Sequence, residues 1–213
     1  MLTDIGKAAV AVLCAAVLAG CAEQGPQVAP GTPSLAVAQA SPSAVETSAD
    51  EQEIATLAGL IRSLGPSVDA EEAARAARIS LLYPRELRSR YGVTDPPIIH
   101  NIKVNSGQRP RGLCWHWAED MEKRLKSENF RTLDIQRAIA NAGNPLRLEH
   151  STALITAKGD PWDAGVVVDP WRDGGDLYWS TVPQDTRYPW RAQREVLAEK
   201  RKRKAAGTQR NGA

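Results

Sequence analysis

The chain has 213 residues and a formal net charge of +2, a balance that singles out no charged partner. Its length allows one domain with one core, of roughly 140 residues once the terminal segments are set aside, and no internal repeat divides it. Of three cysteines, Cys14 and Cys21 lie in a leader-like start and leave Cys114 alone, which excludes a disulfide-stapled scaffold.

The N-terminus reads as an export signal. Lys7 precedes an apolar run from Ala8 to Leu18 that is too short to span a bilayer comfortably, and Leu18-Ala19-Gly20-Cys21 follows. These four residues resemble the lipobox of bacterial lipoproteins, which implies lipidation of Cys21 and removal of residues 1–20. Ala22 after the cysteine implies the outer membrane. Asp4 weakens the positive n-region, so an ordinary secretory signal and an uncleaved interfacial helix stay open as alternatives. Residues 21–47 are rich in Pro, Ser, Ala, Gln and Gly and read as a flexible tether. Nucleic acid is not an expected partner of an exported chain.

The domain is expected over 48–190, with a helical part at 48–91. Ser48 with Glu51 forms a capping-box pattern ahead of Ile54, Leu57, Ala58, Ile61 and Leu64, and Gly65-Pro66 stops the run. Asp69 with Glu72 opens a second helix that should break at Tyr83-Pro84, with a short third helix over Pro84 to Tyr91. Arg75, Arg78, Arg85, Arg88 and Arg90 read as a solvated face in preference to an anion site. Asp95-Pro96-Pro97 breaks regular structure, and Ile98 to Ser106 leads into a loop.

That loop ends in Arg111-Gly112-Leu113-Cys114-Trp115-His116-Trp117. Cys114, Trp117, Ala118, Met121 and Leu125 recur at helical spacing, so the thiol begins an inward apolar face. Exposed N–H groups and the positive end of the dipole at a helix start favour thiolate over thiol. The same N–H groups suit an oxyanion. A small buried hydrophobe is the competing reading of an unpaired cysteine. His116 points roughly 200° away from Cys114 on a helix and is expected to be half-exposed; His100 has no readable acidic partner. No cofactor is indicated, and no metal either, since one thiol and three scattered histidines lack ligand spacing.

Beyond Phe130 the pattern turns to strands. Thr132 to Ala140 is ambiguous between strand and helix. Leu146 to Ala157 reads as a strand carrying His150, Trp162 to Asp169 as its partner ending at Pro170, and Leu177 to Val182 as a further strand. A turn centred between Gly159 and Asp160 would set His150 directly opposite Asp169, within reach of an imidazole–carboxylate hydrogen bond. Residues 191–213 read as a basic tail: a solvated helix end, with attraction to anionic lipid or wall polymer as the alternative.

Gly112-Leu113-Cys114-Trp115, a strand with His150, and Val166-Val167-Val168-Asp169-Pro170-Trp171 together resemble the transglutaminase-like superfamily of bacterial cysteine peptidases over 110–182. The resemblance implies an α+β fold: N-terminal helices plus a transglutaminase-like (papain-like) core, with the catalytic helix packed on an antiparallel sheet. It implies Cys114 as nucleophile, His150 as general base and acid, and Asp169 as the residue that orients His150. Papain-like enzymes place an oxyanion-hole glutamine at the spacing of Gln108, with Asn101 and Asn105 as rivals here. Trp115, Trp117 and Trp171 either wall a substrate cleft or pack the core, Trp115 and Trp171 being the cleft candidates. The expected activity is hydrolysis of a peptide or isopeptide amide in the cell envelope, by a protein held on the membrane through lipidated Cys21. The alternative is a non-catalytic envelope lipoprotein that uses the fold to bind or scaffold.

Overall fold

The computed structural model describes the backbone of residues 42–211 and side chains over 48–208; the lipobox and most of the tether fall outside the described residues. The architecture is α+β. Two long helices, α1 (Pro42–Arg62) and α2 (Ala70–Tyr91), precede a short α3 (Pro97–Asn105) and the cysteine helix α4 (Cys114–Lys126). Strands β1 (Leu133–Ala140), β2 (His150–Ala157), β3 (Val166–Asp173), β4 (Asp176–Thr181) and β5 (Trp190–Ala192) follow, and α5 (Gln193–Asn211) ends the described chain. The strands form one antiparallel sheet in the order β4-β3-β2-β1-β5.

Local chemistry accounts for most element boundaries. Asp69 caps α2 by accepting from the Glu72 N–H at 2.9 Å, and Gly92, at φ 63°, closes it in the left-handed conformation that glycine adopts without penalty. The Glu72 carboxylate does not complete the capping box. It is buried and accepts from the N–H groups of Arg131 and Thr132 and from the Thr132 hydroxyl, at 2.6–2.9 Å, tying the start of β1 to α2.

The expected break at Tyr83-Pro84 does not occur. Helix α2 runs through Pro84 to Tyr91 because Leu81, Pro84, Leu87 and Tyr91 keep one buried stripe, and tertiary packing outweighs the lost backbone hydrogen bond. Helix α1 begins before Ser48, at Pro42, and residues 97–105 form a helix, with prolines before and at its first position. Four of the five α2 arginines meet carboxylates. Arg78 pairs with Glu51 and Arg85 with Asp50, both across to α1; Arg75 meets Glu128, and Arg88 meets Asp176.

Helices α1, α2 and α4 cover one sheet face. Ile54, Leu57, Ile61, Trp117, Met121 and Leu125 pack on Leu133, Ile135, Ala153, Ile155, Val166 and Val168. A smaller cluster of Ala138, Ala140, Leu154, Val167, Val182 and Trp190 covers the opposite face. The chain expected to leave the domain at 190 instead adds β5 beside β1 and then α5, where Val196 is buried. Among the described residues, no helix is long and apolar enough to cross a membrane.

The β2–β3 register differs from the expected one by two residues. Ala153 faces Val168 and Leu154 faces Val167, which places Asp169 opposite Thr152 and not opposite His150. The cause is a 3-10 turn at Trp162–Ala164, which lengthens the connection and delays β3 to Val166. Because side chains alternate with a period of two, a two-residue shift keeps both residues on one face. Strand β3 also continues past Pro170, with a pairing irregularity between Asp169 and Asp173 where the proline removes a donor.

Candidate active site

Cys114 is the first residue of α4, and the loop before it is clamped from three directions. His100, buried beneath the loop, donates from Nε2 to the Arg111 carbonyl at 2.9 Å. Trp117 Nε1 donates to the Gly112 carbonyl at 3.0 Å. His116 Nδ1 accepts from the N–H groups of Gly112 and Leu113, at 3.1 and 3.2 Å. His116 is therefore buried, not half-exposed, and at the third helical position it reaches back as the Glu or Gln of a capping box does. Burial and the nearby Arg111 guanidinium hold its pKa down, which keeps Nδ1 free to accept. Gly112 adopts φ 123°, and a Cβ there would sit 2.2 Å from His100 Nε2. Only glycine fits this crossing.

His150 starts β2 and faces the same side as Leu154, while Asp169 shares the side of Val167. The two functional groups meet across the sheet, His150 Nε2 lying 2.6 Å from Asp169 Oδ2, with both side chains buried. Three aromatic rings surround the imidazole: Trp171, Tyr188 and Trp190, at centroid distances of 4.7, 4.5 and 5.4 Å. Ala140 lies between His150 and Trp190 in the ladder, and its small side chain lets those two rings approach over it.

Burial alone would push the His150 pKa down. The charge and hydrogen bond of Asp169, with a contribution from Cys114, outweigh it and raise the value to about 9. Burial would likewise raise Asp169, but His150 and Arg172 hold its carboxyl below the usual range.

Arg172 extends the network in a way the sequence pattern did not signal. Its Nε donates to Asp169 Oδ2 at 2.7 Å, and its other arm pairs with buried Asp185, which also accepts from Trp190 Nε1 at 2.9 Å. The guanidinium lies 3.8 Å from the Tyr178 ring centroid and 4.6 Å from that of Tyr188. A charged residue three positions after a strand aspartate, next to a proline, was the one available cue.

Two hollows meet at His150. The first, about 400 Å³, is lined by Cys114, His150, Trp115, Arg137, Asn101 and Asn105, among others. The Cys114 thiol points to the Glu149 carbonyl, with Sγ 3.7 Å from the oxygen, and His150 Nδ1 has no hydrogen-bond partner. With Nε2 held by Asp169, Nδ1 is the nitrogen free to exchange a proton with the thiol. Arg137 is a half-buried cation in this hollow, held by Ser151 Oγ at 3.0 Å, the Trp115 carbonyl at 3.3 Å and the Glu122 carboxylate at 3.8 Å.

Gln108 does not reach this hollow. It is exposed, and its side chain donates to Ser106 Oγ at 2.9 Å, because α3 carries the chain away from the cleft before the loop returns. Asn101 is the better placed amide. Its Oδ1 accepts from Trp171 Nε1 at 3.1 Å, which fixes the carboxamide and leaves Nδ2 to donate. Trp115 is 47% exposed at the rim, Trp171 walls the second hollow, and Trp117 belongs to the core. Among the described residues, no group of His, Cys, Asp and Glu is placed to hold a metal ion.

No protein-family model, curated protein or solved structure matches the chain.

Proposed function

We propose that the protein is a transglutaminase-like cysteine hydrolase of the bacterial cell envelope, a peptidase or amidase acting through Cys114, His150 and Asp169. The observation that carries the reading is the imidazole whose Nε2 is fixed by a buried carboxylate while its Nδ1 is unpaired beside a helix-start thiol. The Cys114 thiolate attacks the amide carbonyl, and the Cys114 N–H with Asn101 Nδ2 receives the oxyanion. His150 gives its Nδ1 proton to the leaving amine as the C–N bond breaks. It then takes a proton from the water that hydrolyses the thioester. Asp169 keeps the ring oriented and supports the imidazolium. Hydrolysis is preferred over transfer because water is the abundant acceptor. Lipidation at Cys21 would tether this activity to the outer membrane, facing the periplasm, with envelope peptides or proteins as substrates.

One observation favours a second reading, a binding or scaffolding module: the thiol's hydrogen bond goes to the Glu149 carbonyl and not to His150 Nδ1. Alkylation of Cys114 by iodoacetamide across pH, in the full chain and its His150→Ala variant, separates the two. Rapid labelling at pH 6, well below the ordinary thiol pKa of about 8.5, and its loss in the variant support the hydrolase. Slow labelling that ignores His150 leaves the binding module.

A further inference from the structure

The second hollow, about 470 Å³, shares His150 and Leu148 with the first but is not lined by Cys114. Pro97, Ile98, Leu146, Leu148, Trp171 and Tyr188 give it apolar and aromatic walls, while Arg147 and Arg187 supply charge. No acidic residue lines it. Several surface arginines elsewhere in the domain are matched by carboxylates, Arg78 by Glu51, Arg85 by Asp50, Arg111 by Glu119 and Asp120, and Arg124 by Glu128, while Arg62 and Arg109 bond backbone carbonyls. Arg147 and Arg187 form no ion pair among the described residues. Arg147 instead donates to the Arg187 carbonyl at 3.4 Å, which draws the two residues together at the mouth. Arg172 also borders the hollow, but its charge is consumed by Asp169 and Asp185.

The direction of the reaction gives this charge a meaning. Cys114 lines the first hollow only, whereas His150 lines both. A carbonyl under attack by the thiol sits in the first; the amine that His150 protonates leaves past the imidazole into the second. We infer that the second hollow is the leaving-group subsite and takes an amine half bearing a carboxylate, held by Arg147 and Arg187 against the Trp171 and Tyr188 rings. The preferred substrate is thus an amide whose amine half is an amino acid or short peptide with a C-terminal or side-chain carboxylate. This inference rests on the hydrolase reading for its direction, but the anion preference of the hollow can be measured without turnover.

Two measurements on the full chain test it. In the first, hydrolysis is compared for acetyl-Ala-Ala-X peptides in which X is Gly with a free carboxylate, Gly amide, Glu amide or Lys amide. A carboxylate is expected to lower KM about tenfold relative to the uncharged amide, and Arg147→Gln with Arg187→Gln should collapse that ratio. A gap confined to free Gly assigns the C-terminal carboxylate; one confined to Glu amide assigns the side chain. In the second, the Cys114→Ala chain is titrated with the dipeptide Ala-Glu and with its doubly amidated form, Ala-Gln amide, read by tryptophan fluorescence. Ala-Glu should bind about tenfold tighter, with a preference that weakens as salt rises and vanishes in the double arginine variant. Hydrolysis without a carboxylate preference overturns the subsite and leaves the hydrolase. Carboxylate-selective binding without hydrolysis of any peptide overturns the hydrolase and leaves an anion-binding cleft. Equal binding of both dipeptides in a chain that hydrolyses nothing overturns both.

Discussion

Asp169 presents a single oxygen to two buried cations: Oδ2 is 2.6 Å from His150 Nε2 and 2.7 Å from Arg172 Nε. The shared oxygen keeps Asp169 ionised, and the ionised carboxylate holds the imidazole protonated to about pH 9. His150 therefore carries more proton affinity folded than unfolded. Its contribution to stability is complete below about pH 6.5, the ordinary histidine value, and is lost as pH rises through about 9. Thermal melts between pH 6 and 10 should show this loss, of about 3 kcal/mol at most, and Asp169→Asn should remove most of it. A melting temperature equally flat above pH 6.5 in both chains would contradict the coupling.

Arg172 neutralises Asp169 and Asp185 together, so its removal strands buried Asp185 and leaves Asp169 with His150 alone. Arg172→Met should cost about 3–5 kcal/mol in urea unfolding at pH 7. Arg172→Lys should recover only part of that loss, because a point charge lacks the fork that reaches both acids. Full recovery by lysine would mean that charge alone holds this corner.

Gly112→Ala places a methyl group against His100 and forces alanine to φ 123°. The variant should unfold at lower urea, by roughly 2–4 kcal/mol, and lose fast Cys114 alkylation. Adding His100→Ala removes the clash but not the backbone strain, and is expected to restore less than the whole. Wild-type alkylation in the Gly112→Ala chain would show that the clamp does not position the thiol.

The oxyanion assignment separates two nearby amides. Asn101→Leu should lower kcat about 100-fold with little change in KM, whereas Gln108→Ala should leave both within about twofold, as expected of an exposed loop side chain. Peptide hydrolysis kinetics on the two variants decides between them.

Glu72 governs the acid limit. Burial alone would raise its pKa, but the Thr132 hydroxyl and the N–H groups of Arg131 and Thr132 bring it down to about 2. A depressed carboxyl stabilises the fold above its unfolded value near 4.5, and that stability disappears as pH falls through about 2. Glu72→Gln should cost roughly 1–3 kcal/mol at pH 7 and almost nothing at pH 2, measured by urea unfolding at both.

Short-range patterning carried much of this site. The Gly112 loop, the helical run from Cys114 to Leu125 and the alternating strands around His150 and Asp169 are written in neighbouring residues. Each such element follows from periodicity and turn chemistry over a few positions. The β2–β3 register lies two residues from the one that a turn centred between Gly159 and Asp160 predicts, yet the parity of the pleat preserves the His150–Asp169 face. What stayed hidden joins positions distant in the chain: Arg172 to Asp185, Asn101 to Trp171, Glu72 to Thr132. The continuity of α2 through Pro84 and the burial of His116 belong with these. Such choices are made by packing partners and hydrogen-bond demand inside a water-poor interior, where a buried charge or amide must find a mate wherever the fold brings one. No local pattern names that mate in advance.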